Sequence, residues 1–141
     1  MVFILDEGSV FDAPLSKIWR YVQTAGDTQH VHRSMRNVRS EMQENTPVIS
    51  FETEGPGGMK ATNKIKLTFF PPVGYLMEYV EGPLTGSKAM QHYVPMGNRT
   101  GVTVTGEYLS AMIPQNQLKA AVLAQLEQAF NEDNVTLQKF E

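Results

Sequence analysis

The sequence predicts one α+β domain, an antiparallel sheet of about seven strands curved around a long C-terminal helix. Three observations carry this expectation. From Val38 to Leu109 apolar and polar residues alternate in short runs broken by turn residues. After Pro114 the apolar period lengthens to that of a helix. The length of 141 residues with 41% apolar content suits a single core, so residues 1–141 are expected to form one domain.

Residues 2–11 have the β-rich composition of a first strand. Asp12-Ala13-Pro14 then supplies a helix start, because a proline at the first helical position gives up no needed N–H. Leu15, Ile18, Trp19 and Val22 follow at helical spacing, and a second short helix is expected from the N-cap Asp27 to about Met35. Six strands follow, with breaks at Asn45-Thr46-Pro47, Gly55-Pro56-Gly57-Gly58, Phe70-Pro71-Pro72-Val73-Gly74, Gly82-Pro83-Leu84-Thr85-Gly86 and Gly97-Asn98-Arg99-Thr100.

Between Lys60 and Phe70 the lysines and threonines occupy one face, while Ala61, Asn63, Ile65, Leu67 and Phe69 occupy the other. One face is therefore wet and one covered. Val102, Val104 and Tyr108 alternate with Thr103, Thr105 and Glu107 in the same way. Beyond Pro114, Leu118, Val122, Leu126, Phe130, Leu137 and Phe140 fall in one helical stripe.

Composition excludes several functions. With 12 Lys+Arg against 15 Asp+Glu, and no basic run, the chain is a poor partner for nucleic acid, whose affinity comes largely from phosphate neutralisation. The absence of cysteine excludes disulfides, thiolate nucleophiles and cysteine-held clusters within the chain. No apolar run is long enough for membrane insertion, and the N-terminus lacks the basic leader of a signal peptide, so a cytoplasmic protein is expected. Gly55-Pro56-Gly57-Gly58 lacks the Lys-Ser/Thr ending and the following helix of a phosphate loop.

The element order, with Pro14 to Trp19 after the first strand, Phe70-Pro71-Pro72-x-Gly74 before the fifth and Glu81-Gly82-Pro83-Leu84-x-Gly86 at a hairpin, resembles the START-like (SRPBCC) superfamily, which includes Bet v 1-like proteins and polyketide cyclases. The resemblance implies a helix-grip fold with a cavity between the sheet and the long helix, used for lipids, aromatic polyketides and other apolar molecules. The eight methionines, five tyrosines and seven phenylalanines are suited to the walls of such a cavity, although each of them suits a solid core as well. Leu67, Phe69, Met77, Tyr79, Met90 and Phe130 are the expected ligand contacts. His92 joins them if its strand face turns inward, and otherwise belongs to the outer face.

Asp133 is the most informative polar residue. It lies about 60° from Leu118 on the helical wheel, inside the apolar stripe, so it either faces the core with a partner or sits in water if the helix ends near Asn131. With His30 it forms the candidate catalytic pair of a cyclase, dehydratase or hydrolase. The segment from Asp27 to Arg33 is also similar to the catalytic domain of Rieske ring-hydroxylating oxygenases, itself START-like, in which an Asp-x-x-His element, a second histidine and an aspartate of the C-terminal helix hold a mononuclear non-haem iron.

That resemblance assigns Asp27, His30, His32 and Asp133 as alternative metal ligands. The chain departs from the pattern in placing only one residue between His30 and His32, which moves the first histidine's place to Asp27 or its neighbours. The leading expectation is a domain that binds a small hydrophobic molecule without a cofactor. Homodimerisation through an exposed strand or helix stays open. Arg33, Arg36 and Arg39 are expected as a solvated basic cluster beside the second helix, and Ser50, Glu52 and Glu54 as an outward strand face.

Overall fold

The computed structural model describes residues 1–23, 35–54 and 60–140. Seven strands form one antiparallel sheet in the order β1-β7-β6-β5-β4-β3-β2. They are β1 (Val2–Phe11), β2 (Arg36–Gln43), β3 (Thr46–Glu54), β4 (Lys60–Phe70), β5 (Gly74–Glu81), β6 (Lys88–Met96) and β7 (Arg99–Tyr108). Helix α1 (Leu15–Val22) follows β1, and α2 (Gln115–Lys139) closes the chain against the concave face. The expected second short helix falls on residues 24–34, outside the described residues, and Met35 just after them is not helical. The break at Gly55-Pro56-Gly57-Gly58 also lies outside them.

Turn chemistry sets the hairpins. The β2–β3 turn is Glu44-Asn45, both at positive φ, so Thr46 and Pro47, expected in the break, instead begin β3. Two successive left-handed residues match the twist of the flanking strands, which is why the reversal is this tight. In β1 the pairing with β7 slips between Asp6 and Ser9, at Gly8 (φ +92°). This bulge resets the alternation, so that Ile4 and Asp6 point inward before it and Ser9 and Phe11 after it.

Arg36 and Arg39 belong to β2, an edge strand that is exposed along most of its length, while Arg33 and the helix expected beside them lie outside the described residues. Arg36 approaches Glu54 at 3.6 Å. Charge on an exposed edge discourages pairing with other chains.

The core divides into two clusters. One gathers Ile49, Phe51, Ile65, Leu67 and Tyr79 beneath Leu118 and Val122. The other gathers Phe11, Ile18, Tyr21, Tyr93 and Val102 around Leu137. Helix α2 is thus pinned near both ends, by Leu118 and Leu137, each 1% exposed. Each such leucine contributes about 1.5–3 kcal/mol of burial. Between them Leu126, Ala129, Phe130 and Asp133 are only partly buried and face a hollow.

Polar groups lock the hairpins to their neighbours. Ser87, 1% exposed, donates from Oγ to the Leu109 carbonyl at 3.1 Å and accepts from the Leu109 N–H at 3.0 Å. Ser87→Ala leaves both backbone groups without that partner. We expect a loss of about 1–3 kcal/mol in urea unfolding with an unchanged slope, and a variant within 0.5 kcal/mol (about twofold) of wild type contradicts this role.

Candidate functional site

An interior cavity of about 150 Å³ lies under the middle of α2. Alternation along each strand decides its wall. Ile49 and Phe51 of β3, Ile65 and Leu67 of β4, and Tyr75, Met77 and Tyr79 of β5 point inward. The helix contributes Gln125, Leu126, Ala129 and Asp133, while Val22 and Met35 close one side. A smaller space of about 40 Å³ adjoins it and shares Gln91, Leu126, Ala129 and Asp133. A wider hollow of about 670 Å³ runs along the exposed flank of α2, lined among the described residues by that helix alone.

Asp133 is brought to the interior because α2 runs unbroken through Asn131 to Lys139. Its Oδ1 accepts a hydrogen bond of 2.6 Å from the Tyr21 hydroxyl on α1. At the next position of α2, Asn134 Oδ1 accepts from the Asp12 N–H at 3.2 Å, tying the β1–α1 corner to the helix. Tyr21 carries its proton far beyond the ordinary range, chiefly because of burial and then because of the negative charge of Asp133. A neutral phenol therefore faces a carboxylate, with the phenol as donor.

Opposite them Gln91 Nε2 donates to the Tyr93 hydroxyl at 2.9 Å. Tyr75 and Tyr93 are both held neutral, chiefly by burial, and Asp133 adds to the effect in each. The cavity thus has an apolar body, with Gln91 and Asp133 at one end and Gln125, two turns earlier on α2, toward the other. Tyr108 lies deeper, its ring 5.8 Å from that of Tyr79. Trp19 stands edge-on to Phe69 and Tyr93 at 6.0 and 5.8 Å and donates from Nε1 to the Pro72 carbonyl.

Of the residues expected from sequence, Leu67, Met77, Tyr79 and Asp133 lie together on the cavity. Phe130 stacks on Phe11 at 4.7 Å and lines the smaller space. Phe69 faces inward but packs against Trp19 and Tyr75. Met90 and His92 are corrected: they lie on the outer sheet face, because the register that pairs Gln91 with Val104 and Tyr93 with Val102 turns Ala89, Gln91 and Tyr93 inward. His92 instead lies 3.1 Å from the Thr105 hydroxyl, ring nitrogen to oxygen.

Asp27, His30 and His32 fall outside the described residues, so of the four metal-ligand candidates only Asp133 is placed. Among the described residues no three His, Asp or Glu side chains gather as a metal site.

Sequence reasoning missed Tyr21 and Gln91. Tyr21 sits three residues after Ile18 and beside Val22, at the spacing of the buried face of α1, so helical periodicity held the signal. Gln91 carried none, since either face of β6 could have turned inward.

No helix of the described residues is long and apolar enough to cross a membrane. No family model matches the sequence, and no curated protein matches it significantly. Solved structures do. A START superfamily protein from Mycobacterium smegmatis superposes with a TM-score of 0.81 at 11% identity, covering 97% of each chain. The allergen Ara h 8.0201 gives a TM-score of 0.76 at 11% identity over 98% of each chain. The Zhui aromatase/cyclase from a Streptomyces species gives 0.67 at 12% identity over 96% of this chain and 92% of that one. Seven antiparallel strands curved around a long C-terminal helix, with a cavity between them, give this chain the helix-grip fold of START and Bet v 1-type proteins.

Proposed function

We propose that the protein binds a small, ring-bearing apolar molecule in the cavity between sheet and α2, with the ligand's polar group at the Asp133 end. The observation that carries this is an interior space of about 150 Å³ whose wall is mostly apolar and aromatic and whose charged group, Asp133, stands at one end beside Gln91. A dry space of about that size lined by apolar side chains holds a single benzene-sized ring. Asp133 suits a hydroxyl-bearing ligand, because a carboxylate offers about four acceptor directions and Tyr21 occupies one.

Titration with toluene and with phenol tests this. A probe that binds only the native state stabilises it by about 2.7 kcal/mol at a hundred times its Kd, a rise in melting temperature on the order of 10 °C. Trp19 fluorescence reports the same event from its place against Tyr93. Phenol is expected to bind more tightly than toluene, and Asp133→Ala to remove that preference while toluene still binds. No thermal shift with either ring overturns the proposal.

The carboxylate–phenol pair inside the cavity favours a second reading, in which Asp133 with His30 moves a proton in a cyclase, dehydratase or hydrolase reaction. Asp133→Asn keeps an acceptor toward Tyr21 but removes the base. Under this reading it abolishes turnover of a substrate that it still binds. A substrate that wild type binds and never converts leaves the binding function alone.

A further inference from the structure

A second concavity, of about 380 Å³, lies between the first half of α2 and the β5–β6 turn. It shares Phe51, Tyr79 and Gln125 with the inner cavity, so the two spaces adjoin at these three side chains. Its character differs. The polar side chains on its wall are Thr53, Asn63, Tyr79, Gln125 and Gln128, all uncharged. Asn63 is only 6% exposed, and its Nδ2 donates to Thr53 Oγ1, the Ala61 carbonyl and the Phe51 carbonyl at 3.0, 3.3 and 3.5 Å. Its Oδ1 accepts no hydrogen bond from the described residues.

That oxygen packs against Gly82, where a Cβ would stand 2.6 Å away and only the bare glycine at φ +110° fits. The oxygen is not one of the fully buried atoms, so a donor from solvent or from a ligand can reach it.

We infer that this concavity is the outer compartment of the same binding site, and that it takes the uncharged, hydrogen-bond-donating end, an amide or alcohol, of a ligand whose ring occupies the inner cavity. The inference rests on the cavity function proposed above and narrows the ligand to an elongated neutral molecule. An anionic end is disfavoured because no cationic side chain of the described residues lines the concavity, and an unpaired buried charge loses more hydration than the wall returns.

Four probes separate the compartments by calorimetry: toluene for the ring alone, n-butylbenzene for a ring with an apolar chain, phenylbutanamide for a neutral donor and phenylbutanoate for an anion. Phenylbutanamide is expected to bind roughly three- to tenfold more tightly than n-butylbenzene, the fold-change of a net hydrogen bond. Phenylbutanoate falls at least about tenfold below the amide. Ala121→Phe and Ala124→Phe, at exposed helix positions on the outer compartment, fill it without touching the inner wall. The amide's advantage disappears in either variant, while toluene binds as in wild type.

The inference is overturned if toluene binds but the amide gains nothing over n-butylbenzene, or if its advantage survives both substitutions. Those results leave the inner cavity's function standing. Failure of toluene itself removes both.

Discussion

Raising the pH past 10 unfolds this domain, and tyrosinate forms only as it does so. All five tyrosines, Tyr21, Tyr75, Tyr79, Tyr93 and Tyr108, have their ionisation pushed above the ordinary value, in each case chiefly because burial penalises the phenolate. For Tyr21 the Asp133 carboxylate adds to the rise, as does Tyr93 for Tyr75. In the unfolded chain the same groups ionise near 10. Above that pH the unfolded state therefore binds fewer protons than the folded one, and stability falls as pH rises.

The slope per group approaches about 1.4 kcal/mol per pH unit, so the four most strongly shifted groups, Tyr21, Tyr75, Tyr93 and Tyr108, remove up to about 6 kcal/mol by one unit above 10. A domain of this size has about 5–15 kcal/mol in all. Below roughly pH 9 the tyrosines leave stability unchanged. Far-ultraviolet dichroism and tyrosinate absorbance followed together between pH 8 and 12 check this. The two signals are expected to change in one cooperative step. Tyrosinate that accumulates gradually around pH 10 while the dichroism holds would contradict the burial of these rings.

Ala129→Phe abolishes binding of toluene and phenol, weakening each at least about a hundredfold by occupying the space that the ring needs. Ala129 borders both interior spaces, and the side chains flanking it on the helix, Leu126 and Asp133, border the same two. A phenyl group at this position has about the size of the ring that a 150 Å³ cavity holds. Overpacking a filled core costs about 1–3 kcal/mol, but a side chain that enters an existing hollow meets no such penalty. The variant's own melting temperature is therefore expected to stay level or rise. Differential scanning calorimetry with and without toluene reads both effects. A variant that toluene stabilises as much as wild type places the ring site elsewhere.

Much of this architecture is legible in the chain. The alternation of Lys60–Phe70 gives the inner and outer faces of β4, and the stripe from Leu118 to Phe140 gives the face of α2 turned to the sheet. Asp133 stands out because it interrupts that stripe, and its helix does carry it inward. The site is less legible. In β6 the row Met90, His92, Val94 and Met96 is the more apolar to read, yet the inward row is Ala89, Gln91 and Tyr93.

The sequence by itself determined the number and order of strands and singled out Asp133 within the apolar stripe of the last helix, because these follow from periodicity and turn residues, both local to a segment. Only the tertiary structure decided that β6 turns Gln91 inward, that the Gly8 bulge brings Ser9 and Phe11 inward, and that Tyr21 meets Asp133. A strand's period of two defines two faces without choosing between them. The choice comes from which neighbours it pairs with and what the opposite wall needs filled.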